Sequence, residues 1–172
     1  MENMPEAYEY ADYYKTYVKL VPEGDIVQIL DDQMKVTMDK LKSLTKEESE
    51  YRYATDKWSI KEVMGHIIDT ERIMSYRLLS IARGEKISLP GYDENKYVEE
   101  ANFDNQSLKD LLDHFAAVRQ STIYLINSLS RETLTRKGIA NGHEVTVRAL
   151  ITIIAGHELH HRKIIIERYL SN

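Results

Sequence analysis

Apolar residues return every three or four positions along nearly the whole chain, and four stretches hold that rhythm long enough to predict amphipathic helices. The first opens at Asp25, with Gln28 three residues on as a start signal, and aligns Ile26, Ile29, Leu30, Val36 and Leu41. The second opens on the capping-box pair Ser59 and Glu62, after Asp56-Lys57-Trp58, and runs to about Arg83 through Ile60, Val63, Met64, Ile67, Met74, Leu78 and Ile81. Ser107 and Asp110 start the third, which turns Leu108, Leu111, Leu112, Phe115, Val118, Ile126 and Leu129 inward. The fourth runs from about Thr146 to Tyr169, with Val147, Leu150, Ile151, Ile154 and Ile165 on one face. Only 7 glycines and 3 prolines punctuate the 172 residues, so helix is the expected state nearly throughout.

The links are as informative as the helices. Between Gly84 and Gln106 lies a stretch of little periodicity, containing Leu89-Pro90-Gly91-Tyr92-Asp93-Glu94-Asn95, longer than most connections in compact domains. A link of that length lets two successive helices of a bundle run parallel, where short links force antiparallel neighbours. Ahead of the last helix, Thr135 to Ile139 and Glu144 to Val147 flank Asn141-Gly142, a dipeptide favoured in type I′ turns, and predict a small hairpin. Five tyrosines between Tyr8 and Tyr17 predict a short packed helix near the start, and Pro22-Glu23-Gly24 breaks the chain after it. The expected organisation is a tyrosine-rich segment, 1–22, followed by one all-α four-helix bundle domain, 23–172.

Composition narrows the chemistry. With no cysteine there is no disulfide framework, no cysteine nucleophile and no thiolate metal site, so any metal must be held by nitrogen and oxygen. The first twenty residues are acidic and lack a basic leader before an apolar run, and no span approaches transmembrane length; a cytoplasmic protein with no membrane partner is expected. A net charge of -5 opposes a broad grip on nucleic acid and favours a small-molecule partner.

Against this background the run Gly156-His157-Glu158-Leu159-His160-His161 stands out, because it gathers three of the six histidines. On a helix, His157 and His161 lie about 6 Å apart along the axis and about 40° apart around it, within reach of one divalent ion. The wheel puts His161 near the middle of the apolar face and His157 to one side, and points His160 toward solvent. Two buried imidazoles a turn apart are costly unless each finds a partner, which favours a metal over two unrelated core histidines. A catalytic site needs a third protein ligand. His143 adjoins the turn and is expected to be exposed, while His66 and His114 both lie at the edge of their stripes, and periodicity does not choose between them.

The run Lys57-Trp58-Ser59-Ile60-Lys61-Glu62-Val63-Met64-Gly65-His66, followed by Asp69 and Glu71, resembles the start of the metal-bearing helix in the DinB-like superfamily, particularly its YfiT-like branch. The Pro90-Gly91-Tyr92-Asp93 loop and the terminal histidine run are similar to later signatures of that family, so the likeness spans most of the chain from Asp25 to Leu170. This resemblance implies an up-down-down-up bundle, which suits the long second link. It also implies one divalent metal, zinc or nickel, on His66, His157 and His161, and a homodimer. Three neutral imidazoles leave the ion's charge uncompensated, so two reactions are open: hydrolysis by a water acidified toward pKa about 7, or transfer of an activated low-molecular-weight thiol to a small electrophile. The resemblance covers metal-dependent hydrolases as well as bacillithiol or related thiol transferases, and transfer is the preferred expectation. Glu158 and Asp69 are the first carboxylates to consider as catalytic bases or imidazole orienters, although Asp69 lies on the polar side of its helix. Tyr92 and Asp93 are candidate pocket residues, because long ordered loops often cover sites. The rival from another class is a non-catalytic, metal-stabilised helical module in a stress response; a structural site would normally be closed by four protein ligands, and three are visible.

Overall fold

Short polar side chains start the helices where the sequence places them. In a computed structural model, which describes residues 4–170, the Asp25 carboxylate accepts from the Gln28 amide at 3.0 Å, and Ser59 and Glu62 form a reciprocal capping box. Ser107 accepts from the Asp110 amide and Thr146 from the Ala149 amide. The elements are α1 (Lys15–Val18), α2 (Ile26–Leu41), α3 (Lys46–Glu50), α4 (Ile60–Ala82), α5 (Glu94–Ala101), α6 (Leu108–Asn127), α7 (Arg131–Leu134), β1 (Lys137–Ala140), β2 (His143–Thr146) and α8 (Val147–Arg168). Residues 1–3 of the tyrosine-rich segment and 171–172 of the bundle domain lie outside the described residues.

The bundle is made by α2, α4, α6 and α8, in up-down-down-up order. Its α4 packs on α6 and α8, and α2 packs on the same two helices. The Gly84 to Gln106 link is less bare than its weak periodicity predicts. It holds α5 and a 3-10 turn, Phe103–Asn105, and the pattern is faint because α5 buries Val98 alone. Leu89 pairs with Ala140, exchanging backbone bonds with Ile139 and Asn141 at 2.9 Å, so the crossover docks on the hairpin. In the hairpin, Lys137 opposes Thr146 and Ala140 opposes His143, while Asn141 and Gly142 take the positive φ angles (53° and 75°) that a type I′ turn demands. The predicted N-terminal helix is shorter than expected: two 3-10 turns, Ala7–Glu9 and Asp12–Tyr14, lead into the four residues of α1.

The core divides by level. One apolar cluster gathers Leu30, Met74, Leu78, Ile81, Leu150 and Ile154, and a second gathers Met34, Ile60, Met64, Ile67, Phe115 and Ile165. Between them each bundle helix turns buried polar side chains inward: Gln33 and Thr37 from α2, His66, Thr70 and Glu71 from α4, Arg119 from α6, and His157 and Glu158 from α8. This polar band corrects one expectation for α2. Val36 is exposed, and the inward positions around it go to Gln33 and Thr37, which answer polar partners on α6 and α8.

Candidate metal centre

Two glycines prepare the site. Gly65 and Gly156 each immediately precede a histidine on a long helix, where glycine costs roughly 0.5–1 kcal/mol relative to alanine. Another segment approaches the helix at both. A methyl group at 65 would lie 2.3 Å from the Phe103 ring, which the crossover brings down on α4. One at 156 would lie 2.2 Å from the Tyr17 carbonyl oxygen. The crossover and the N-terminal segment are therefore seated against the helix backbone beside His66 and His157.

His66, His157 and His161 converge from α4 and α8, and their candidate ligand nitrogens all lie within 4.8 Å of one another. The His66 and His157 Nε2 atoms are 3.0 Å apart, and His161 stands with its ring 4.7 Å from that of His66 and 4.5 Å from that of His157. Tetrahedral ligands at about 2.0–2.1 Å from a cation stand roughly 3.3 Å apart, so modest rotation of these rings would accept one. Desolvation, with the neighbouring His160, pushes the His66 pKa down to about 4; burial and the other imidazoles hold His157 and His161 well below the ordinary value. Neutral rings keep the lone pairs that a metal needs. The donor set fits a divalent ion, with nitrogen ligands and no thiolate.

Around this cluster, the Thr70 hydroxyl lies 3.4 Å from His66 Nδ1 and 2.6 Å from the Tyr92 hydroxyl. That chain ties a ring nitrogen facing away from His157 to the crossover loop, the usual way in which a ligand imidazole is oriented. Burial pushes the Tyr92 phenol up to about 12, so it stays protonated. Thr70 is absent from the sequence expectations; its signal is the four-residue step from His66 on the same helix face. The Trp58 ring packs 4.8 Å from His66.

Several expected site residues have other partners. Glu158 is buried and does not orient an imidazole: its Oε1 accepts a short bond from the Thr37 hydroxyl and lies 3.6 Å from Arg162, and its Oε2 has no hydrogen-bond partner among the described residues. Its backbone position, next to His157, aims it at α2 instead. Asp69 is half-buried beside Arg72 and His114, with burial pushing its pKa up. His114 is bonded to Arg72, and His143 is exposed at the hairpin. Asp93 caps α5, accepting from the Asn95 and Lys96 amides at 3.1 and 3.2 Å. His160 departs from its expected exposure: its ring packs 5.1 Å from that of Tyr17 and is partly covered, because the N-terminal segment lies along α8.

The sequence profile of the DinB superfamily matches residues 29–165. The chain belongs to that superfamily. A relative in Oceanobacillus iheyensis, named "Putative metal-dependent hydrolase OB0413", is 26% identical over 121 residues, covering 69% of each chain. The solved structure of YfiT from Bacillus subtilis, described as a probable metal-dependent hydrolase with an unusual four-helix bundle topology, superposes with a TM-score of 0.75. It is 14% identical, with 97% of this chain and 93% of YfiT covered, a likeness of fold. The profile begins inside α2, so the tyrosine-rich segment precedes the matched region. Among the described residues, no helix is long and apolar enough to cross a membrane.

Proposed function

We propose that this DinB-superfamily protein is an enzyme that holds one divalent cation, zinc or nickel, on His66, His157 and His161, and transfers a low-molecular-weight thiol to small electrophiles. The observation that carries this reading is the convergence of three neutral imidazoles, two buried and His161 partly so, with no fourth histidine or carboxylate joining the cluster among the described residues. Such a set leaves a coordination position for an exogenous group, as catalytic sites do and structural sites do not.

When bound, the cation would supply the charge that lowers the pKa of a thiol presented to it. The chain's own side chains do the rest. The three rings would hold the cation, and Thr70 with Tyr92 holds the His66 ring in place. Transfer needs no general base from the protein: the thiol releases its proton to solvent, sulfur bonds to the electrophilic carbon, and the leaving group departs with its electron pair. That economy matches the site, since among the described residues no carboxylate makes a hydrogen bond with any of the three imidazoles. Hydrolysis is the second reading, favoured by the name of the Oceanobacillus iheyensis relative.

Protein purified without an affinity tag should contain about one divalent ion per chain, lost in His157→Ala and His161→Ala; retention in both variants would refute the ligand set. With a chloro-nitroaromatic acceptor and a panel of cellular thiols, the loaded protein should form thioether conjugates. Turnover of an ester or amide without any conjugate would decide for hydrolysis.

A further inference from the structure

The tyrosine-rich segment is held at several points, although it precedes the family-matched region. Glu9 is 2% exposed, and its carboxylate accepts from Arg148 Nε and the Thr146 hydroxyl, each at 2.7 Å, at the start of α8. Further along, Tyr13 accepts from the Asn141 side chain at 3.3 Å and packs on His143 at the hairpin. Val18 and Val21 enter the apolar core, and the Tyr17 carbonyl fills the space that a side chain at 156 would take. The segment is thus a fixed strap along the last helix.

What it carries to the site is one ring. Tyr17 stands edge-on to His157, 5.5 Å between centroids at 88°, and lies 5.1 Å from His160. From the other flank the crossover brings Tyr92, linked through Thr70 to His66. Of these two tyrosines from separately anchored segments, Tyr17 touches the imidazole cluster directly and Tyr92 reaches it through Thr70. We infer that Tyr17 is a specificity-determining residue: held by the strap, its ring narrows the approach to the open coordination position, so that small thiols enter and bulky ones are turned away. This rests on the metal reading above, and deepens it by stating the size class of thiol that the site takes.

Cobalt(II)-loaded protein provides the test, with sulfur-to-cobalt charge-transfer absorption reporting thiol binding. 2-Mercaptoethanol is the small probe and glutathione the bulky one. The parent should bind glutathione at least tenfold more weakly than 2-mercaptoethanol. Tyr17→Ala should tighten glutathione binding at least tenfold and leave 2-mercaptoethanol within twofold, whereas Tyr17→Phe, which keeps the ring, should retain the discrimination. Gly156→Ala, which must push the Tyr17 backbone away, should reproduce Tyr17→Ala, and Tyr17→Leu serves if the alanine variant does not fold. In both opened variants a chelator should extract cobalt at least fivefold faster. Cobalt bound by the parent, with unchanged thiol preference and extraction rate in the opened variants, would overturn the role of Tyr17. Failure of the parent to bind cobalt at all would instead overturn the metal reading, and this inference with it.

Discussion

Arg119 and Glu71 share the middle level of the bundle with His66 and His157, yet the first pair answers its own charges while the imidazoles answer chiefly one another. The fully buried Arg119 guanidinium donates to both Glu71 oxygens at 2.8–3.1 Å and to the Leu30 carbonyl at 2.9 Å. It makes a bidentate, closed arrangement that holds α2, α4 and α6 together and has little to offer a ligand. The histidines a short distance along α4 and α8 are buried as well, but their rings are kept neutral and their lone pairs are only partly used. Burial of polar groups in one band thus serves two ends. Where complementary charge meets charge, the band fixes helix positions; where like donors converge, it leaves capacity for a cation.

That contrast can be broken most forcefully at the closed cluster. Glu71→Ala should destabilise the fold by about 3–5 kcal/mol, because a buried guanidinium loses its counter-charge. Urea unfolding measures this. In the metal-free protein His161→Ala should cost only about 1 kcal/mol, the centre of the range for point changes. The two variants should also respond differently to zinc: Glu71→Ala should still be stabilised, by about 2.7 kcal/mol at a hundredfold excess over Kd, and His161→Ala should not. Equal stability losses with equal zinc responses would dissolve the distinction.

A middle-sized effect is expected at the strap, where a third buried polar group is involved. Burial pushes the Glu9 carboxyl up, but the hydrogen bonds from Arg148 and Thr146 outweigh it and leave the pKa lowered from 4.5. A carboxyl lowered on folding adds stability above its unfolded value and loses it as pH falls through the folded one. Glu9→Gln should therefore cost roughly 1.5–3 kcal/mol at neutral pH, and progressively less below pH 4.5. Identical acid-unfolding curves for parent and variant would contradict this. A change in metal affinity alone sharpens the open cluster. Thr70→Val removes the group beside His66 Nδ1 and should weaken metal affinity about tenfold, or about 1.4 kcal/mol, in a chelator competition, with helix content unchanged.

The caps, the helix spans and the four-residue step from His157 to His161 were legible in the chain, because local hydrogen bonding and a period of 3.6 residues write them into consecutive positions. The choice of His66 over His114 was not. Both lie at the edge of an apolar stripe, and periodicity cannot tell a turn that faces α8 from one that faces solvent; resemblance to a family pointed to His66, and helix packing sets its Nε2 3.0 Å from that of His157. The carboxylates show the same limit. Glu158 is adjacent to a candidate ligand in sequence, but successive helical residues diverge by about 100°, which turns it to Thr37 on another helix. Nor did spacing announce Thr70, or the route by which Tyr17 returns to a ring 140 residues away, since those contacts depend on how separate segments come to rest. The sequence by itself determined which helices form, where they start and which residue types could bind a cation. Tertiary structure alone decided which side chains meet, because convergence across a bundle is fixed by packing and by the close approaches that Gly65 and Gly156 permit, not by position along the chain.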